Sequence, residues 1–205
     1  MVRKGLLVLV MAALVTGGTF AVDMSAGLGG SFSATFDSFD DDDGKMQARL
    51  IGGSIFAMFD ATFVEASIGM MFGGEKWRFD GEWDDDPTNL TYLTIGLLGK
   101  YPIDIGSFTL FPMLGIRYDL GLSAKYDGED LDFGETSKAD SMNRFWIKLG
   151  AGADFPITDQ IFIRPSFLYG INFGTKDIRD WKSDDSRLST FHHGLDIRVA
   201  VGFRF

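Results

Sequence analysis

The sequence predicts an all-β protein, a closed eight-stranded antiparallel up-and-down transmembrane β-barrel. Three observations predict it. Apolar and small or polar residues alternate with period two through six long runs. The strands come to about eight, an even count, and their connections alternate between long and short. One face of the alternation carries large apolar side chains, with aromatics ten residues apart, about the length of a membrane-crossing strand.

The chain begins with a targeting segment. Arg3 and Lys4 form a positive start, Gly5 to Val15 is an unbroken apolar run, and Thr19 and Ala21 are the small residues a signal peptidase reads. The run is shorter than the roughly 20 residues of a membrane anchor. Residues 1–21 are therefore expected to be a cleaved signal peptide, and residues 22–205 the barrel domain. The first strand follows at once, with Val22, Met24, Ala26, Leu28, Gly30, Phe32, Ala34 and Phe36 on one face. Two runs with a blurred pattern, Met46–Phe59 and Thr91–Tyr101, are also strands, and Gly52-Gly53 suggests a bulge in the first. Clear alternation returns around Val64–Phe72, Phe108–Leu120, Phe145–Phe155, Ile161–Phe173 and Leu195–Phe205. Long polar connections fall near 37–45, 73–88, 126–143 and 175–189, and short ones near 60–62, 102–107 and 156–160. The long ones hold 21 acids and 8 bases, a net of −13, so nearly all of the chain's acidity sits on one rim.

Alternation alone does not say which face meets water. A secreted ligand barrel would turn the apolar face inward. Here the polar face is rich in Gly, Ser and Ala, which suits a crowded interior, and the apolar face holds more volume than a narrow barrel encloses. The aromatic pairs Phe108/Tyr118 and Phe145/Phe155 would mark two interfacial girdles. The apolar face is therefore expected to meet outer-membrane lipid. Composition narrows the function. Absence of Cys removes disulfides, thiolate metal sites and Cys catalysis, and a net charge of −10 makes nucleic acid an unsuitable partner. A mean hydropathy of +0.07 is too low for a helical membrane protein.

The chain ends on Phe203-Arg204-Phe205. With Arg198 at a polar position, this ending resembles the C-terminal signal read by the barrel-assembly machinery, although Ala200 stands where that signal often has Gly. The whole pattern resembles the small eight-stranded bacterial outer-membrane barrels, the OmpA/OmpX/OmpW-like class. The resemblance implies export to the outer membrane, a passing partnership with the assembly machinery, and assembly determinants at Phe203 and Phe205. That class holds scaffolds, adhesins, narrow pores and a few lipid-modifying enzymes, so it implies location more than activity.

One constellation of residues stands out. Glu65, Arg117, Asp119, Arg144, Lys148, Asp154, Arg164, Asp196 and Arg198 share the inward face. Desolvated charges must pair, so they are expected to form an ionic plug, with a switching ion gate as the rival reading. Phe111, Met113, Trp146, Phe162 and Leu168 would fill the remaining lumen. Asp40 to Asp43 and Asp84 to Asp86 offer oxygen ligands to divalent cations or an extracellular ligand, but Phe39 and Leu50 stand where an EF-hand needs its first Asp and final Glu. His192 and His193 point opposite ways, one to the lumen and one to lipid or rim, and with Ser189 and Asp185 nearby they make only a weak case for an esterase. Trp77, Trp83 and Trp181 sit in the long connections, as recognition surface or as packing. No cofactor is expected. The function expected is a non-enzymatic membrane scaffold displaying acidic loops, with a narrow channel for small solutes as the alternative.

Overall fold

The computed structural model describes residues 23–41, 44–79, 81–131, 142–172 and 189–205. Eight long strands form the wall: β1 (Met24–Asp41), β2 (Gly44–Ala61), β3 (Val64–Phe79), β4 (Thr88–Lys100), β5 (Thr109–Tyr126), β6 (Arg144–Pro156), β7 (Ile161–Asn172) and β8 (Ser189–Arg204). Each pairs antiparallel with its sequence neighbours. The ring closes because β1 also pairs with β8, in unbroken register from Ser25↔Arg204 to Asp40↔Ser189. Closure leaves the ring of eight long strands without an edge, so the wall's backbone N–H and C=O groups find partners without water. Residues 1–21, expected from the sequence to be a signal peptide, lie outside the described residues.

The two rims differ. At the rim that carries the termini, the connections are tight. Thr62 takes a φ of 46° in the turn from β2 to β3, and the chain between β4 and β5 makes a small hairpin, Ile103–Asp104 against Thr109–Leu110. There the Gly106 amide donates to Asp104 Oδ1 at 2.8 Å. At the opposite rim the strands run further than the alternation suggested. The connection expected over 37–45 is mostly strand, since β1 and β2 pair as far as Asp41↔Gly44. Much of 73–88 is likewise wall: β3 continues to Phe79, and Glu82–Trp83 pairs back on it. The 126–143 connection opens with a two-residue turn, Asp127-Gly128, with φ of 49° and 81°. Two successive positive φ values suit the strand twist of a tight hairpin, and Asp-Gly tolerates them. Charge spacing hid these extensions, because beyond the apolar band the outward face turns polar as well and the alternation is lost.

The bulge is also elsewhere. Gly52 and Gly53 pair in register with both β1 and β3. The irregularity falls between β4 and β5, where Thr91 meets Ser123 and Tyr92 meets Gly121, leaving Leu122 as the extra residue. Beyond Leu122 the parity of β5 reverses, which turns Ala124 inward beside Leu90. In β2 the paired glycines serve close packing instead. A Cβ on Gly52 would collide with the backbone of Phe72 and Gly73.

The faces are inverted relative to a soluble protein. Leu114, Ile116, Tyr118, Ile147, Ile163, Val199 and Val201 all point outward and are exposed, with Leu114 at 59%. Phe111, Met113, Trp146, Phe162 and Leu168 point inward and are buried. At the terminal rim Phe108 stacks on Phe155, with ring centroids 5.2 Å apart. Toward the other rim Tyr118 and Phe145 are register partners. Two aromatic girdles thus bound an apolar band. The substitution Leu114→Arg, placed mid-band, is expected to lower stability by about 2–4 kcal/mol. Urea unfolding of the protein in lipid vesicles measures this, and an unchanged midpoint would place Leu114 outside hydrocarbon.

Candidate functional site: the charged lumen

Inward parity on all eight strands brings together the nine charges singled out above and several more. Near the terminal rim the centre is Arg164, 2% exposed. Its Nε and Nη2 donate to the two oxygens of Asp154 at 2.6 and 2.8 Å, a fork on a carboxylate. Its Nη1 donates to Asp60 Oδ2 at 2.6 Å and Glu65 Oε2 at 2.9 Å. The guanidinium also lies against Phe111 and Phe162, 4.9 and 5.0 Å from their centroids. Glu65 is shared: its Oε1 accepts from Arg198 Nη2 at 2.7 Å. Asp60 is shared with Lys100 at 2.8 Å, and Arg204 stands 3.6 Å from Asp154 at the mouth.

The middle of the lumen is organised around Asp196. It accepts from Arg117 Nη1 at 2.9 Å and Ser33 Oγ at 2.6 Å, and Lys148 Nζ lies 2.8 Å away. Arg117 also reaches Asp119, whose Oδ2 accepts from Trp146 Nε1 at 2.7 Å. Two cations flank one indole, Lys148 at 4.2 Å and Arg117 at 5.4 Å from the ring centroid of Trp146. Gly170 makes room for this arrangement, because a Cβ there would stand 2.7 Å from Lys148 Nζ.

Toward the far rim Arg144 Nη2 donates to Glu75 Oε1 at 2.8 Å and covers Tyr92. His192 Nδ1 lies 2.7 Å from Asp37 Oδ1. Leu50, Met71, Leu90, Tyr92, Ala124 and Met142 form an apolar cluster at this level. Between the ionic layers there is a cavity of about 40 Å³, bordered by Arg117, Lys148, Asp196 and Arg198. That is room for a few waters.

Asp60, Glu75, Lys100, Asp37 and Ser33 belong to this network without having been singled out from sequence. The signal was present. Lys100 sits on inward parity inside the blurred run Thr91–Tyr101, Asp60 just past the run Met46–Phe59, and Glu75 and Asp37 lie in stretches read as loop. Carrying parity one residue further finds Asp37 and Asp60, three residues further finds Glu75, and Lys100 needs no extension. Phe203 is exposed on the outward face. Phe205 is tied down by its amide, which donates to Met24 O at 3.0 Å, and its ring lies 6.4 Å from that of Phe59. His193 turns outward, stacked on Phe36 at 5.6 Å. Among the described residues no three acid or His side chains converge on a metal-sized site. Asp42, Asp43, Trp181 and Asp185 lie outside those residues, as does the side chain of Ser189.

A closed ring with lipid-ready walls and a polar, charge-paired interior defines an integral outer-membrane β-barrel protein. Comparison with known families makes this specific: the model for the outer membrane protein beta-barrel domain matches residues 20–176, and the chain belongs to that family. Its place is therefore the bacterial outer membrane. Among solved structures the chain is similar to the outer membrane protein AlkL in lipid bilayers, at 11% identity, 93% coverage of both chains and a TM-score of 0.50. It is also similar to Neisserial surface protein A, at 14% identity, covering 88% of this chain and 99% of that one, with a TM-score of 0.48. A third is Ail of Yersinia pestis, at 15% identity, covering 91% of this chain and all of that one (100%), with a TM-score of 0.40. No curated protein matches the sequence.

Among the described residues Glu65 is the one carboxylate paired with Arg198. Replacing it strands a desolvated guanidinium. Glu65→Ala is expected to destabilise the barrel by roughly 3–5 kcal/mol, and adding Arg198→Leu to recover part of that loss. A double-mutant cycle by urea unfolding reads the coupling, and strictly additive losses would show the pair is uncoupled.

Proposed function

We propose that the protein is a non-enzymatic, non-conducting scaffold of the outer membrane, which holds its acidic rim outside the cell and its termini in the periplasm. The observation that carries this reading is the transverse lock at Arg164. One guanidinium ties β7 to β2, β3 and β6 through Asp60, Glu65 and Asp154. Phe111 and Phe162, each at 0% exposure, fill the space beside it. Opening a water path would require breaking several desolvated ion pairs together, each costly to leave half-made. The second lock, around Asp196, would have to open as well. The rim opposite the termini carries the long acidic connections, suited to counterion layers of divalent cations or to a cationic surface ligand.

The leader and the terminal aromatics fit delivery. The signal peptide would take the chain across the inner membrane, and Phe203 and Phe205 would present the assembly machinery with the outward, exposed end of β8.

Planar-bilayer recording tests the scaffold reading. The wild-type protein is expected to add no steady current over bare lipid, whereas Arg164→Ala combined with Arg117→Ala opens a measurable leak. Ion-selective steps from wild-type protein would overturn the scaffold reading in favour of a narrow solute channel. Delivery has its own test. Deleting Phe205 is expected to reduce the outer-membrane level severalfold while signal-peptide removal continues. An undiminished level of the truncated protein would remove Phe205 from the assembly signal.

A further inference from the structure

The lumen charges are paired, but a second group of bases is placed differently. Arg49 lies on β2, and Lys76 and Arg78 on β3, all on the outward parity of their strands. In register, Ile51 pairs with Gly74, Arg49 with Lys76, and Gln47 with Arg78. Below them the outward face is apolar for nine residues on each strand, from Phe59 to Ile51 and from Val64 to Phe72. Nine residues is about the length that crosses the hydrocarbon. The bases therefore begin at the level of the lipid headgroups, about 7 Å beyond Ile51.

Their immediate surroundings favour an anion. Among the described residues no carboxylate forms an ion pair with Arg49, Lys76 or Arg78. Lys76 Nζ donates to the Asp85 backbone carbonyl at 2.6 Å. Arg78 donates to Gly81 O at 3.0 Å and to Gln47 Oε1 at 3.3 Å. Arg49 lies on the face of Trp83, 4.3 Å from the ring centroid, with Arg78 at 5.8 Å. Trp83 is itself 37% exposed, an aromatic of the kind that settles at the membrane–water boundary. Beside Arg49 a cleft of about 230 Å³ runs between Phe36, Trp83 and His193. Asp37 also borders the cleft, but it sits next to His192. In a rim that is otherwise strongly acidic, two guanidiniums on one indole, with Lys76 beside Arg49 in register and no carboxylate ion-paired to the three among the described residues, form a localised positive site at headgroup depth.

We propose that this outward patch of Arg49, Lys76, Arg78 and Trp83 holds the phosphorylated headgroup of a glycolipid in the outer leaflet. The guanidiniums supply forked donors to phosphate oxygens, Lys76 supplies a point charge, and the acyl chains lie along Ile51, Ile55 and Phe72. The choice of an outer-leaflet lipid rests on the orientation proposed above; the phosphate chemistry does not.

The test uses the full-length folded barrel in zwitterionic micelles, with bisphosphorylated lipid A and its dephosphorylated form as probes, read by native mass spectrometry. Wild-type protein is expected to retain the phosphorylated form at least about tenfold better, since each base near an anionic headgroup contributes. Arg49→Ala/Lys76→Ala/Arg78→Ala should lose that preference, while Arg49→Lys/Arg78→Lys should keep most of it. The gel shift on heating confirms that each variant is folded; should the triple variant fail to fold, Arg49→Ala alone is read for a partial loss. Equal retention by wild type and the alanine variants overturns the proposal. So does equal retention of both lipid forms, or full displacement by inorganic phosphate, which would mark a site for the free anion. Orientation is read separately, by labelling Asp85→Cys in intact cells, which is clean because the chain has no other cysteine. An unlabelled cysteine would overturn the outward orientation, and with it the outer-leaflet source, and would leave phosphate binding in micelles as measured.

Discussion

Every feature of this barrel follows from the cost of an unpaired backbone amide in hydrocarbon. A spanning strand must give its N–H and C=O groups to neighbours on both sides, so the first strand has to meet the last. The register between β1 and β8 achieves this over the full height of the wall. Once the ring is closed, alternation sends each side chain either to lipid or to a narrow interior. Eight strands leave that interior only wide enough for side chains. The polar half of the sequence is therefore forced into a space where charges cannot be hydrated and must satisfy one another.

The lumen meets this demand by sharing. Glu65 serves Arg164 and Arg198, Asp60 serves Arg164 and Lys100, and Asp196 serves Arg117 and Lys148. Shared carboxylates link strands far apart in sequence, so each ion pair also reports on register. A one-residue slip of β7 would turn Arg164 into lipid and leave three carboxylates buried without it. Such pairs add little net stability compared with apolar packing of the same volume, but they penalise wrong arrangements heavily. Aromatic side chains complete the seal, and glycines such as Gly170 and Gly202 are empty where Lys148 and the Phe162 ring must pass.

The outer surface is divided by the same logic. The apolar band carries no outward base or acid between its aromatic girdles on β2 and β3, and the first outward charges appear one step beyond it, at Arg49 and Lys76. The connections at this rim are acidic, whereas the outward face of β2 and β3 just below them carries Arg49, Lys76 and Arg78.

Much of this was legible in the sequence, because period two is imposed residue by residue wherever one face is lipid and the other is lumen. The eight strands, the outward face, the inward set from Glu65 to Arg198 and the outer-membrane class all follow from that local rule. It fails where the two faces stop differing. Past the apolar band the outward face turns polar as well, so the strand extensions at Asp41, Phe79 and the Asp127-Gly128 hairpin read as loop, and the buried Glu75 and Asp37 were counted with them. Within β5 the extra residue at Leu122 reverses the parity, and a bulge depends on the partner strand rather than on its own residues. Pairing was decided only by the tertiary structure. Which carboxylate meets which base depends on shear, tilt and closure around the ring, and these are properties of eight strands together that no single strand encodes.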